Sequence, residues 1–158
     1  MTFSSTIPAA VGASIAARGA APAVVESGAL PERRVTYSEL GARVLASTRA
    51  MIAAGVRPGD RVAIWAPNGL EWIVAALGAQ CSGAALVPVN TRWKGAEAAF
   101  VLAASRAKVL CTAVGFLGTD TVAMLAADDT ELPELERIVV FPGAEHTATG
   151  STSPAVPV

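Results

Sequence analysis

Histidine, cysteine and aromatic side chains are all scarce in this chain. Its 158 residues include one histidine, two cysteines and only 5% Phe, Trp and Tyr taken together. The single histidine, His146, lies in a polar tail, which leaves almost no material for a zinc centre or a histidine-based triad. Cys81 and Cys111 sit in apolar stretches with no C-x-x-C or Cys/His spacing. They read as reduced, buried, cytosolic thiols rather than as a disulfide or a metal site. Charged residues make up 16% of the chain, against about 25% in ordinary soluble domains. The formal net charge is -1 and there is no basic run, so nucleic-acid binding, which needs a basic stripe with stacking aromatics, is disfavoured. No run approaches the roughly 18 apolar residues of a membrane span. Residues 7–17 are apolar and small, but the first positive charge, Arg18, follows them, whereas a secretory signal puts its positive charge first. A short amphipathic helix and a cytoplasmic location are expected instead.

What the chain has in quantity is hydrophobic residues, 53% of the total. That suffices for the core of one domain, or of part of a larger protein. It also leaves little polar surface, so some apolar surface is expected to face a partner, with self-association as one outcome. After the helix over residues 7–17, residues 23–27 and 33–36 read as two strands of a hairpin around Gly28-Ala29-Leu30-Pro31. Thr36 and Glu39 form a capping box for a helix whose apolar face is Leu40, Val44, Leu45, Met51 and Ile52, closed by Gly55. Residues 61–66 are apolar on both sides, as in a buried parallel strand. Asn68 and Glu71 read as the cap of the next helix, with core face Leu70, Ile73, Val74, Leu77 and Cys81. On that helix Ala75, Ala76, Gly78 and Ala79 are small enough to admit a close neighbour. Strands follow at 85–89, 108–112 and 137–141, with helices at 95–104 and 119–127. This alternation predicts a mostly parallel sheet with helices on its faces. Residues 1–141 form the expected α/β unit, and the Gly, Ser, Thr and Pro-rich residues 142–158 a disordered tail or linker.

Several motifs recur here in a fixed order: Thr36-Tyr37-Ser38-Glu39-Leu40, then GVRPGDRVAIWAPN over residues 55–68, Glu71-Trp72, and VPVNTRW over 87–93. Glu97, Val101-Leu102, the strand over 108–111 and LPELERIVV over 132–140 continue the set. Together they resemble the N-terminal part of the adenylate-forming acyl-CoA synthetases. The GFLGTD stretch over 115–120 is most similar to a bacterial branch activating steroid-ring propanoate acids. The resemblance implies a partial N-terminal lobe of that fold: a hairpin, then a mostly parallel sheet with flanking helices. It also implies the chemistry of a complete enzyme, in which a carboxylic acid attacks the α-phosphate of ATP, with Mg, and the acyl group then passes to the thiol of coenzyme A. The family's phosphate loop, ribose-binding acid and adenylation lysine belong to later parts of such enzymes. No Ser-Gly-Thr-Thr-Gly and no Gly-x-x-x-x-Gly-Lys-Ser/Thr occurs in this sequence. The chain is therefore expected to be a fragment, to bind no cofactor by itself, to contain no catalytic residue, and to be inactive alone.

Arg92 is the one candidate ligand contact. It leaves a strand's carboxyl end, and a guanidinium makes forked, charge-assisted bonds to phosphate. The resemblance implies proximity to a phosphate of the coenzyme A nucleotide; the competing reading is a surface ion pair, for instance with Glu97. Asn90 is expected to order the same loop, and Trp72 and Trp93 to pack rather than to line a substrate pocket. Gly115 and Gly118 precede a helix as in a phosphate cradle, but two glycines fit a plain turn as well. Asp128 and Asp129, adjacent on a helix end, do not face one another. At the Lys94-Gly95 helix start relatives often carry Thr or Ser, and at Ala98 a Leu. These departures predict a looser helix start, by about 1 kcal/mol, and a thinner core. Two alternatives to the ligase reading are a free-standing small nucleotide-binding α/β module, which would rely on the Gly115 turn, and a non-catalytic interaction module.

Overall fold

Strand β3 (Arg61–Trp65) is the centre of a four-stranded, wholly parallel sheet in the order β4-β3-β5-β6, with β4 at Ala85–Pro88, β5 at Val109–Thr112 and β6 at Arg137–Val140. The computed structural model describes residues 6–26 and 32–141. Ser27, the hairpin turn through Pro31, His146 and the whole of 142–158 lie outside the described residues. In register, Ile64 pairs with Pro88 on one side and with Cys111 on the other. A parallel strand inside a sheet needs cover on both faces, and Val62, Ala63, Ile64 and Trp65 are all at most 1% exposed.

The cover comes from two helix layers. One face of the sheet joins α2 (Tyr37–Ala53) and α3 (Leu70–Cys81) in a core containing Met51, Val62, Ile64, Ala75, Ala79, Val109 and Cys111. The other joins α4 (Gly95–Ser105) and α5 (Thr121–Ala126) around Ala63, Trp65, Ala98, Ala99, Leu102, Leu110 and Leu125. Helix α1 (Ile7–Arg18) and an antiparallel hairpin, β1 (Pro22–Glu26) with β2 (Arg33–Thr36), lie beside α2 and α3. The expected α/β architecture is the one observed. Boundaries differ by up to two residues: α5 starts at Thr121, where the Asp120 carboxylate accepts from the Val122 and Ala123 N–H groups.

The α2 capping box forms as expected, with Glu39 Oε2 accepting from the Thr36 N–H at 2.8 Å and Thr36 Oγ1 from the Glu39 N–H at 3.2 Å. Its apolar face is narrower than the sequence period suggests. Leu40, Val44 and Met51 are buried, while Leu45 and Ile52 are 49% and 58% exposed. The elements beside α2, namely α3, α1 and the hairpin, cover one stripe and leave these two side chains outside it. In α3 Leu70, at the start of the helix, and a run of small side chains go deepest. Ala75, Ala76 and Ala79 are buried against the sheet, and Ile73, Val74, Leu77 and Cys81 are half-buried against the hairpin and α2. Gly78 is where α2 and α3 come closest: a Cβ there would sit 2.2 Å from Ser47 Oγ.

The expected Asn68 cap is not made. Asn68 is exposed, and Gly69 is the N-cap with no side-chain bond of its own. A carboxylate from the hairpin replaces it: Glu26 Oε1 accepts the Leu70 N–H at 2.7 Å. Glu71, rather than reaching back, pairs with Arg33 at 2.7 Å, and Arg33 also lies 3.5 Å from Glu26. Helix α4 begins with half a capping box. Glu97 Oε2 accepts the Lys94 N–H at 2.8 Å, but the Lys94 ammonium has no lone pair to return. Gly95 turns out to be required by packing, because a Cβ there would meet the Met124 carbonyl oxygen at 2.2 Å.

The amino ends of the strands are tied by charge. Lys108 Nζ donates to the Gly55 carbonyl at 2.9 Å and lies 3.2 Å from Asp60 and 3.6 Å from Glu136. The Arg57 N–H, with Lys108 alongside, holds the Asp60 carboxyl below the ordinary aspartate range. Arg61 donates to the Ser105 and Arg106 carbonyls.

The Gly78 contact gives a direct test of the packing. Gly78→Ala drives a methyl group into Ser47 and lowers unfolding free energy by about 1–3 kcal/mol, the usual cost of overpacking. Adding Ser47→Gly removes the clashing side chain and recovers part of that loss. Urea denaturation of the two single variants and the double variant measures the coupling; an unchanged midpoint for Gly78→Ala would show that α2 and α3 do not approach this closely.

Candidate functional site

Open α/β sheets bind ligands beyond the carboxyl ends of their strands, where successive connections leave in opposite directions. The chain runs from β3 to β4 through α3 on one face, and from β5 to β6 through α5 on the other. The switch point therefore falls between β3 and β5. Trp65, Pro67, Thr91, Phe116, Thr119 and Thr121 converge there around a notch with about 10 Å³ of room. That is space for one water, so the notch itself does not admit a nucleotide.

Most polar groups around the notch are committed to holding it together. Thr112 Oγ1 donates to the Trp65 carbonyl at 2.9 Å and lies 2.7 Å from Thr121 Oγ1, which also reaches the Ala113 carbonyl at 3.1 Å. The Gly115 turn uses three of its N–H donors internally. The N–H groups of Gly115, Gly118 and Thr119 go to the carbonyls of Thr119, Gly115 and Phe116. Gly115 and Gly118 have φ of 92° and 68°, the left-handed region that glycine accommodates freely, and Leu117 between them also has a positive φ of 55°. This is a plain turn. The helix after it already has the Asp120 carboxylate at its amino end, where a phosphate would have to sit.

The Asn90–Trp93 turn is different. The Asn90 carbonyl accepts two donors, the Trp93 N–H and the Trp65 Nε1–H, each at 3.1 Å. Its side-chain Oδ1 accepts the Arg92 N–H at 2.9 Å. Asn90 thus orders the loop, as its sequence position suggested. Arg92 is exposed, and among the described residues none of the ion pairs includes its side chain. The alternative ion pair with Glu97 is not formed, because Glu97 serves the Lys94 N–H. Trp72 and Trp93 are partly buried against the two cores, and Asp128 bonds the Thr130 N–H at 3.0 Å.

A second cavity, of about 240 Å³, lies on the other face between α2, α3 and β6. Its lining is largely apolar, including Met51, Val74, Val139 and Phe141, with Arg33, Arg43 and Glu71 also contributing. The thiol in its lining, Cys111, is 1% exposed, and burial pushes it up to about 12. A thiol so placed stays protonated and inert near neutral pH.

Two of these contributors escape a linear reading. Glu26 caps α3 from a sequence distance of 44 residues, with nothing local to signal it. Trp65 had a faint signal: a tryptophan inside a buried strand needs an acceptor for its N–H.

The model of the AMP-binding enzyme family matches residues 12–156. The chain is 42% identical over 112 residues to a methyl-dioxo-octahydroindenyl propanoyl:CoA ligase of Rhodococcus jostii, a match covering 70% of this chain and 22% of that protein. It is 46% identical over 111 residues to the ligase of the same name from Mycobacterium tuberculosis, with the same coverage, 70% and 22%. Among solved structures, the N-terminal domain of FACL13 from Mycobacterium tuberculosis superposes with a TM-score of 0.78 at 25% identity, over 87% of this chain and 34% of that one. The chain thus spans about a fifth of the length of the curated relatives it matches.

The burial of Cys111 makes a prediction for thiol chemistry. At pH 7–8 the native chain leaves Cys111 unmodified by iodoacetamide, and urea exposes it to reaction. Peptide mass mapping reads the site; alkylation of Cys111 without unfolding would contradict the inert, protonated thiol.

Proposed function

The chain belongs to the AMP-binding enzyme family, and on that premise we propose that it supplies the N-terminal lobe of an acyl-CoA synthetase, making acyl-CoA, AMP and pyrophosphate from a carboxylic acid, ATP and coenzyme A. The relatives named for a bicyclic propanoyl:CoA ligation favour a ring-bearing propanoate as the acid. A cytoplasmic site of action fits two free cysteines, and residues 142–158 would serve as the passage into the rest of such an enzyme.

The residues at hand fit the cofactors unequally. Among the described residues no group of three or more His, Cys, Asp or Glu side chains could hold a metal ion, and the Asp120 carboxylate already sits at the amino end of the helix after the Gly115 turn. The described residues therefore offer neither a ligand set for Mg nor an open helix end for the phosphates of ATP. Coenzyme A carries a nucleotide with anionic phosphates, and one residue is placed for it. The observation that carries this reading is the Arg92 guanidinium, exposed and unpaired among the described side chains, on a turn anchored at the carboxyl end of β4. In this role Arg92 binds and orients a phosphate and moves no proton.

In the complete enzyme Arg92→Ala raises KM for coenzyme A by about 10- to 100-fold, the range expected for losing a charged hydrogen bond worth roughly 1.5–3 kcal/mol, and it slows adenylate formation far less. The 158-residue chain alone releases no pyrophosphate from ATP with any carboxylic acid. Equal effects of Arg92→Ala on both half-reactions would remove Arg92 from the coenzyme A site, and pyrophosphate release by the chain alone would overturn the division of labour.

A second property follows from α2. Leu45 and Ile52, seven positions apart and hence on one side of the helix, are the exposed large hydrophobics of that helix, at 49% and 58%. We propose that this stripe lets copies of the isolated chain associate. Sedimentation velocity at rising concentration would show a growing mean mass, reversed by Leu45→Glu with Ile52→Lys; a constant monomer mass would reject it.

A further inference from the structure

We propose that Trp65 is the positioning residue that aims Arg92, a role that rests on the reading of Arg92 as a phosphate contact. The Asn90–Trp93 turn is exposed at Asn90 and Arg92, and an arginine on a surface turn grips a phosphate well only if its backbone is fixed beforehand. Three hydrogen bonds brace the turn. Two of them, Trp93 N–H to the Asn90 carbonyl and Arg92 N–H to Asn90 Oδ1, come from inside it. These hold its shape but move with it. The third, from Trp65 Nε1–H to the same Asn90 carbonyl at 3.1 Å, is the one that comes from another element.

That element is rigid. β3 is paired on both sides, at Ile64 to Pro88 and at Trp65 to Thr112. The Trp65 carbonyl is held by Thr112 Oγ1, and the indole is 1% exposed. The last bond between β3 and the chain entering the turn is Val89 N–H to the Ile64 carbonyl at 2.9 Å. Beyond Val89, with Trp93 packing against the core beside it, the indole N–H is the hydrogen bond that ties the turn to the sheet. Ala98 and Ala99 share the buried cluster with Trp65, and their small side chains leave room for an indole to lie under α4. The Ala98 position, which looked like a thinned core, is itself fully buried in that cluster.

The test separates the hydrogen bond from the packing. β-(3-Benzothienyl)alanine placed at 65 keeps the shape of the indole and puts sulfur where the N–H was; Trp65→Phe removes both. In the 158-residue chain, the isostere speeds amide exchange at Arg92 and Trp93 by tenfold or more while leaving Ile64 and Leu110 in the sheet unchanged. In the complete enzyme it raises KM for coenzyme A by about tenfold and lowers the rate of adenylate formation less. Unchanged exchange at Arg92 and Trp93 overturns the anchor. Faster exchange with an unchanged KM overturns the positioning role and leaves Trp65 a structural residue. If Arg92→Ala itself leaves KM for coenzyme A unchanged, the reading of Arg92 fails, whatever the isostere does to exchange. If Trp65→Phe unfolds the chain, the isostere, which preserves packing, still decides.

Discussion

Everything in this structure depends on burying β3 on both faces. Its parallel pairing with β4 and β5 uses its backbone groups, and its side chains from Val62 to Trp65 are at most 1% exposed. A strand in that position forces helices onto both sides of the sheet. Strands β4 and β5 flank it, so each helical connection has to cross to a defined face, and the switch point falls at the end of β3 itself. The end of that strand is also where the indole and carbonyl of Trp65 bind the β4 turn and β5.

Two devices let the helix layers come close enough to cover it. Small residues remove side-chain bulk at the crossings, as at Gly78 over Ser47 and Gly95 over the Met124 carbonyl. The close approach lets large side chains such as Trp65, Ile64, Leu70 and Leu102 be fully buried between the layers. Charged groups then fasten the margins. Lys108 gathers Asp60, Glu136 and the Gly55 carbonyl at the amino end of the sheet, while Glu26 and Arg33 tie the hairpin to the start of α3. These ion pairs are partly exposed, so the pairs add modestly to stability; the Glu26 bond to a helix N–H also completes a helix end.

At the carboxyl end the same economy leaves little for chemistry. Hydroxyls, turn amides and the Asp120 carboxylate are spent on each other. A site of this kind supplies a scaffold and an edge, and the proposed contact with coenzyme A is one cation on a braced turn. The groups that make and break bonds in the proposed reaction would come from outside these residues.

Local chemistry was enough to read much of this from the sequence. The Thr36 capping box, the glycine at 55, the two-faced strand from Arg61 and the βα alternation each need only neighbours in the chain, and each is present. The ordered motifs pointed to the family, and the exposed Arg92 was legible because a strand exit followed by Asn-x-Arg is a local pattern. What the sequence could not decide depends on distance in space. Which stripe of α2 stays wet depends on where α3 lies, and periodicity alone cannot distinguish Leu45 from Val44. Asn68 looked like a cap because caps are usually local, yet a carboxylate 44 residues away reaches the same N–H at 2.7 Å. Gly95 looked like a weakened position, yet the Met124 carbonyl leaves no room there for a Cβ, and Ala98 lies fully buried in the same cluster as Trp65. Sequence fixes which hydrogen bonds and apolar faces a segment must satisfy; only the packed fold decides which partner satisfies them, because that partner arrives through the third dimension.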